Sequence, residues 1–149
     1  MWPDPFCVAD LKLEGRPKEL HLVLDLEGHP VSHVGLLRHD VEAGGRIIRL
    51  AGLGGVGTVP GAQGHGYASL LVQCAWRLAR EERSVQASLL FCLHRLVPFY
   101  ERLGWRVLEH PVEIDQSSGR IVAPIPVMVY PAHNAAVIDV PLVLATPPW

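Results

Sequence analysis

The sequence has no block of Lys or Arg residues, and its formal net charge is only −2. Proteins that bind nucleic acids or anionic membranes usually carry a basic patch, so neither partner is expected. No apolar run reaches the roughly 18 residues that a membrane-spanning helix needs. The first ten residues, MWPDPFCVAD, also lack the basic and apolar regions of a signal peptide.

Cysteine is scarce as well: the chain has Cys7, Cys74 and Cys92, with no CxxC spacing. An odd number of cysteines without that spacing predicts neither a disulfide framework nor a zinc site. No metal is therefore expected, and a reducing cytoplasm is the simplest location.

Apolar residues, by contrast, make up 49% of the 149 residues, and charged residues 19%. This composition is typical of a globular protein, and the length predicts one domain over residues 1–149. Within it, residues 131–149 form a tail rich in Pro, Val and Leu. The tail is too apolar to be left in water, so it is expected to pack on the domain or on a second copy of the chain in a homodimer.

Apolar periodicity predicts eight elements. The alternation in LHLVLDL is that of a half-buried strand, residues 67–82 follow a helical period, and the apolar run VQASLLFCL indicates a strand covered on both faces. Gly104 is suited to a helix C-terminus. A mixed sheet with helices packed on it follows. The predicted strands are 20–26, 31–41, 46–59, 85–93, 105–114 and 121–130, and the predicted helices are 67–82 and 96–103.

Gly52-x-Gly54-x-x-Gly57 matches the dinucleotide-binding fingerprint letter for letter. That fingerprint should open directly into a helix and be followed by an acidic residue at the end of a second strand. Here Pro60-Gly61 follows, and the acidic residues at that spacing lie on a helix. The glycines instead indicate a bulge or the close approach of a ligand.

A second glycine motif, QGHGYA, leads directly into the predicted helix. Gly64 and Gly66 would let phosphate oxygens approach the backbone N–H groups. The free N–H groups and the positive dipole end of the helix face the same point, which makes an anion site without lysine. The alternative is a tight strand-to-helix turn that happens to need glycine.

The segment VGTVPGAQGHGYASLL resembles the signature of the GNAT acetyltransferase superfamily, a strand followed by (Arg or Gln)-x-x-Gly-x-(Gly or Ala) and a helix. Gln63, Gly66 and Ala68 occupy its defining positions. VPFYERLGW, after the central strand, resembles the second signature of the family. The resemblance covers roughly residues 20–130 and implies an α/β (α+β) fold, with a mixed, mostly antiparallel central sheet flanked by helices.

The resemblance also implies an acetyl-CoA-dependent N-acetyltransferase, in which a primary amine attacks the thioester directly. The acceptor would be a small molecule, since the loop and second signature are nearest to those of small-molecule amine acetyltransferases. Backbone groups near Val56 would hold the acyl carbonyl, and the second glycine motif would hold the pyrophosphate. The implied acetyl-CoA-binding residues are Val56, Gly57, Thr58, Gln63, Gly64, His65, Gly66, Tyr67 and Ala68.

Tyr100 matches the tyrosine that commonly donates a proton to sulfur in this family; its alternative role is that of a core aromatic. Many relatives place a glutamate as general base where this chain has Gly54. We predict His94, at the end of the central strand, as the base, because histidine titrates in the required range. His65, His33 and a chain of waters are the alternatives.

Relatives carry two helices that wall the acceptor site before the hairpin. Only about 20 residues precede the first clear strand here, with no helical period long enough for both, so a reduced helical region is expected. The acceptor site would then be open, or closed by a segment such as the tail 131–149, which otherwise covers a sheet edge. The missing glutamate keeps a second function open, that of a non-catalytic acyl-CoA-binding or sensing module.

Overall fold

A computed structural model of the chain describes residues 13–134 and 138–149. Short 3-10 turns lie at Pro60–Ala62, His94–Leu96 and Ala132–Asn134. Within the described residues, no helix has the length and apolar character needed to cross a membrane. The strands and helices are β1 (Leu20–Leu26), β2 (His29–Ala43), β3 (Arg46–Thr58), α1 (Tyr67–Arg83), β4 (Ala87–Phe91), α2 (Val97–Glu101), β5 (Arg106–Val107), β6 (Val112–Gln116), β7 (Gly119–Val122), β8 (Val127–Tyr130) and β9 (Leu142–Leu144).

Six strands form the main sheet in the order β1-β2-β3-β4-β8-β5. Only the β3–β4 pair is parallel, because α1 carries the chain across the sheet between these two strands. The predicted mixed, mostly antiparallel sheet flanked by helices is therefore confirmed.

The helix α1 packs on one face of this sheet, which we call the helix face. Its buried residues recur at helical spacing, and they contact alternate residues of β2 and β3 such as Leu36 and Leu53. Every residue of β4 is buried, as the apolar run predicted for a strand covered on both faces.

The opposite face, which we call the tail face, is covered by a second, three-stranded sheet of order β7-β6-β9. Ile114 of β6 and Leu142 and Leu144 of β9 are buried against the main sheet. The described part of the tail therefore packs on this chain. Its parallel pairing with β6 brings residues 142–144 beside residues 112–114. Homodimer formation stays a prediction.

The predicted strands 105–114 and 121–130 are wrong in extent, because each is two strands. Between β5 and β6, the N–H groups of Glu109 and His110 donate to the Asp139 carboxylate instead of a neighbouring strand. Between β7 and β8, Pro124 and Pro126 have no N–H to offer. The predicted helix 96–103 is likewise shorter, because a 3-10 turn precedes the five residues of α2.

Candidate functional site

The strands β3 and β4 separate in the middle of the main sheet. They are paired from Leu50 to Leu53 of β3, and the last pair is Leu53 with Leu90. Beyond it, β3 continues to Thr58 and pairs only with β2, while β4 turns to β8. The strands thus leave a cleft in the sheet. Residues 54–58 of β3 form one side of this cleft.

A β-bulge shapes this side of the cleft. Gly55 and Val56 of β3 both lie opposite Val34 of β2, and Gly55 has a φ of 61°. That conformation is one that side-chain-bearing residues rarely adopt, so glycine is required there. The bulge predicted from the glycines is confirmed, and the dinucleotide interpretation fails because Gly52 and Gly54 lie inside a strand.

The loop from Gln63 to Gly66 connects the cleft to α1. The Gln63 side-chain amide donates to the Thr58 carbonyl at 3.1 Å, and the His65 ring stacks on Tyr67 with centroids 5.5 Å apart. Gly64 and Gly66 have φ values of 80° and 78°. Both glycines are therefore required by the backbone path and not only by the space that a ligand would need.

The first backbone N–H groups of α1 lack hydrogen-bond acceptors within the helix and its cap. The first helical bond runs from the Leu70 N–H to the Gly66 carbonyl, so the N–H groups of residues 67–69 have no acceptor within the helix. Among residues 13–134 and 138–149, no side chain caps this end, and the first turn of α1 has no acidic residue. Such an end, together with its dipole, attracts an anion.

Tyr100 lies in the core of the helix face, with its side chain 3% exposed. Its ring packs edge-on against Phe99 and Trp105. Burial, and then the nearby Cys92 thiol, raise the pKa of Tyr100 well above its usual range. The phenol is therefore protonated at neutral pH and able to donate a hydrogen bond.

The predicted base, His94, is exposed and begins the 3-10 turn after β4. Its imidazole makes no hydrogen bond or ion pair to the described residues. His65, an alternative, bonds through Nδ1 to the Ala62 and Gln63 carbonyls of its own loop. His33, another alternative, lies at the cleft: its Nδ1 is 2.7 Å from the Gly55 carbonyl oxygen.

His33 is paired with a second histidine that the sequence analysis did not single out. His33 Nε2 lies 2.9 Å from His21 Nδ1. Because a carbonyl only accepts, His33 Nδ1 carries the hydrogen. In neutral His33, Nε2 then accepts from His21 Nδ1–H, which leaves His21 Nε2 with a lone pair. The hairpin register, which places Val23 opposite His33 and His21 two residues before it, was the signal that could have found this pair.

Two further side chains that sequence reasoning missed reach the cleft on the tail face. The Trp149 indole is 7% exposed, lies over Gly52, and donates from Nε1 to the Leu89 carbonyl at 3.3 Å. The carbon chain of Lys18 crosses Gly35 and ends over Gly54. Neither contact has a local sequence signal, because the partners are distant along the chain.

Other features of the described residues lie outside this cleft. Among residues 13–134 and 138–149, no group of three or more His, Cys, Asp or Glu side chains could hold a metal ion. An open groove of about 650 Å³ lies between the C-terminal half of α1 and the end of β8. Trp76 and Tyr130 line it, and it contains none of the predicted site residues.

Residues 12–108 match the family model of the acetyltransferase (GNAT) domain. Among solved structures, the chain resembles a GCN5-related N-acetyltransferase from Kribbella flavida (24% identity, 61% of this chain and 23% of that chain, TM-score 0.56). It also resembles a GNAT family acetyltransferase from Brucella melitensis in complex with acetyl-CoA (19%, 83% and 64%, TM-score 0.51). A third is the Bacillus subtilis N-acetyltransferase YlbP in complex with coenzyme A (11%, 74% and 66%, TM-score 0.57).

These structural likenesses show the fold alone, because all three identities are below 25%. The chain spans less than two thirds of the length of each of these proteins. Among curated proteins, no sequence matches the chain.

Proposed function

The chain belongs to the GNAT acetyltransferase family, and from this premise we propose that it transfers an acetyl group from acetyl-CoA to a primary amine of a small molecule. The observation that carries the proposal is the cleft between β3 and β4, which opens directly beside the uncapped N-terminus of α1. A thioester in the cleft and a pyrophosphate at the helix would belong to one extended ligand.

Acetyl-CoA would be held mainly by the protein backbone. The backbone from Gln63 to Ala68 would hold the pyrophosphate, chiefly through the N–H groups at the start of α1 that have no acceptor within the helix. Backbone N–H groups from Val56 to Thr58 would hold the acyl carbonyl in the cleft. Oriented N–H groups stabilise the oxyanion that forms when the amine attacks. The cytoplasmic location stays a prediction from cysteine usage.

Direct attack by the amine, without an acyl-enzyme, is supported by the state of Cys92. This thiol follows β4, is fully buried, and burial raises its pKa to about 11. A thiol in that state is a poor nucleophile, because the thiolate is the reactive form.

Tyr100 would assist the departure of coenzyme A. A thiol ordinarily has a pKa of about 8.5, so complete proton transfer from the buried phenol is uphill. The hydroxyl would instead keep its proton and stabilise the leaving thiolate by donating a hydrogen bond to sulfur. Tyr100→Phe should therefore lower kcat by roughly 10- to 100-fold, the effect of one hydrogen bond to a charged group.

The measurement for Tyr100→Phe is kcat together with the Kd for acetyl-CoA, which should change little. A kcat equal to that of the parent chain would leave Tyr100 as a core aromatic only.

For the base, the contacts at Gly55 favour the His21–His33 pair over His94. A proton taken up by His21 Nε2 would be stabilised by the hydrogen bonds that connect His21 through His33 to the Gly55 carbonyl. His21 lies on β1 and His33 on β2. The strand β2 pairs with the part of β3 that would hold the thioester, whereas His94 has no described contact with β3.

Release of free thiol from acetyl-CoA over a panel of amines tests the proposed activity. Turnover that depends on one class of small amine supports it. Tight binding of acetyl-CoA without turnover on any amine would instead indicate the acyl-CoA-binding module, which the absence of a carboxylate at Gly54 favours.

A further inference from the structure

The Trp149 side chain lies on the tail face, in the angle between β3 and β4. Its indole packs on Gly52 of β3 so closely that a Cβ at Gly52 would overlap with the ring. The ring also donates from Nε1 to the Leu89 carbonyl of β4 at 3.3 Å, and it meets the Phe91 ring edge-on with centroids 5.4 Å apart. The indole therefore contacts both strands at the place where they separate.

The main chain next to the indole is also held against the domain. The Pro148 carbonyl accepts a hydrogen bond from the Arg16 N–H at 2.6 Å. A Cβ at Gly54 would lie 2.7 Å from the Trp149 carbonyl oxygen and 2.8 Å from Lys18 Cε. The Trp149 carbonyl group and the Lys18 side chain thus fill the space that a side chain at residue 54 would occupy.

The proposed path of acetyl-CoA leads to this filled space. The pyrophosphate would lie at the start of α1, beyond the last residue of β3, and the acyl carbonyl would lie near Val56. A group that continues in the same direction reaches Gly54 and then Gly52, which precede Val56 on β3. Gly54 is two residues before Val56, about 7 Å along a strand. An acetyl methyl group fits within that distance, whereas a longer chain would meet the Trp149 carbonyl group and then the indole.

The main sheet closes the cleft at the same level. Leu53 and Leu90 form the last pair between β3 and β4, and their buried side chains belong to the core of the helix face. An acyl chain that turned into the plane of the sheet would have to separate this pair. A close-packed interior accommodates added methylene groups poorly, so Trp149 and the strand pairing together leave room for a short acyl group.

We propose that Trp149 determines the length of the acyl group that the chain accepts, and that it restricts the donor to acetyl-CoA. This inference rests on the proposed function, because it requires the thioester to lie beside Val56. One methylene group more or less in a hydrophobic site changes specificity by roughly 10- to 200-fold. Butyryl-CoA and hexanoyl-CoA should therefore be used at least about 10-fold less well than acetyl-CoA.

The test compares kcat/KM for acetyl-CoA, butyryl-CoA and hexanoyl-CoA, with one amine that the chain acetylates. Trp149→Phe keeps a smaller aromatic ring, and Trp149→Ala removes the ring. The ratio of butyryl to acetyl transfer should increase by about 10-fold or more in Trp149→Ala, and by a smaller factor in Trp149→Phe. A merely structural role of Trp149 would lower the use of all three donors together and leave this ratio unchanged.

Trp76→Phe is the matched control. Trp76 lies on α1 in the open groove outside the cleft, so this variant should keep the ratio of the parent chain. Trp149→Phe alone decides the test if Trp149→Ala does not fold, which circular dichroism of each variant shows.

The outcomes separate this inference from the activity on which it rests. Acetyl transfer with an unchanged ratio in the folded Trp149 variants would overturn the inference and leave the function standing, as would equal use of hexanoyl-CoA and acetyl-CoA by the parent chain. Absence of thiol release from all three donors would overturn the function. Calorimetric Kd values then decide the inference: tighter binding of acetyl-CoA than of hexanoyl-CoA, reduced in Trp149→Phe, would support it, and equal values in the parent chain would overturn it too.

Discussion

Two buried serines differ in their hydrogen bonding, and this difference predicts opposite effects on stability. The side chains of Ser32 and Ser88 are both 0% exposed. The Ser32 hydroxyl bonds to the Gly57 carbonyl at 3.0 Å and to the Thr58 hydroxyl at 2.9 Å. The Ser88 hydroxyl, on the helix face of β4, has no hydrogen-bond partner among the residues that the structure describes.

Ser88→Ala should therefore raise the free energy of unfolding by about 1 kcal/mol, because it removes an unsatisfied buried hydroxyl. Ser32→Ala, which deletes the same atom, should lower it by about 1 kcal/mol. Urea denaturation of the two variants measures both effects. A loss of stability in Ser88→Ala would show that its hydroxyl is bonded in solution.

Substitutions of single side chains also test which histidine is the base. His33→Gln should lower kcat/KM for the amine by about 100-fold or more if the pair accepts its proton. His94→Gln tests the base predicted from the sequence. His29→Gln is a matched control, since His29 is exposed at the β1–β2 turn and bonds to the Glu27 carbonyl.

Steady-state kinetics with one amine and saturating acetyl-CoA would compare the three variants. Slower transfer in His94→Gln with normal transfer in His33→Gln would favour the sequence prediction over the histidine pair.

At the level of secondary-structure elements, the connection from β3 to α1 requires a left-handed backbone conformation at its last residue, Gly66. Gly66, directly before α1, has a φ of 78°, whereas Gly61 in the same connection has an ordinary φ and open space around it. Gly66→Ala should cost about 1–2 kcal/mol of stability and turn away the first N–H groups of the helix. Gly61→Ala should do neither.

Calorimetric titration with acetyl-CoA gives the second readout. The affinity should fall in Gly66→Ala and remain in Gly61→Ala. An unchanged affinity in both variants would mean that the N-terminus of α1 does not hold the pyrophosphate.

The long elements could be predicted from the sequence because their patterns are local. The alternating leucines of β1 and the helical period of α1 each report which face is buried. The same holds for the bulge, since Gly55 sits in a run of closely spaced glycines. The ends of β2 and β4 were less accurate, because strand ends depend on neighbours rather than on their own residues.

At the scale of the whole molecule, the contact between Trp149 and Gly52 joins parts of the chain that are 97 residues apart. The indole occupies the space that a side chain at residue 52 would fill. Trp149→Ala should cost about 3–5 kcal/mol, and Gly52→Ala about 1–3 kcal/mol. The double variant should cost less than the sum, with a coupling of about 0.5–3 kcal/mol.

Urea denaturation of the parent chain, the two single variants and the double variant measures the free energies of unfolding for this double-mutant cycle. Gly57→Ala is the matched control on the same strand, since a Cβ there meets nothing within 4 Å. Additive effects of Gly52→Ala and Trp149→Ala would mean that the Trp149 indole does not pack on Gly52.

The arrangement of the site could be predicted only in part, because residues that are far apart along the chain form it. The second signature and the glycine loop indicated the family, and the loop precedes α1 as predicted. The three-stranded sheet was missed because the parallel pairing of β6 with β9 connects residues 112–114 with 142–144 and has no local pattern. The contact of Lys18 with Gly54 was missed because the absence of the family's glutamate at this position does not indicate what occupies the space. In the structure, Lys18 and Trp149 lie there.

The uncapped start of α1 has a consequence for how the sequence can change. Residues 50–76 contain no Lys, Arg, Asp or Glu, so recognition of the pyrophosphate would use donors that every non-proline residue carries. Most substitutions at Gln63, His65 or Tyr67 would leave those donors in place, provided that Gly64 and Gly66 keep the backbone path. The site is therefore tolerant of mutation in its side chains and vulnerable in its two glycines.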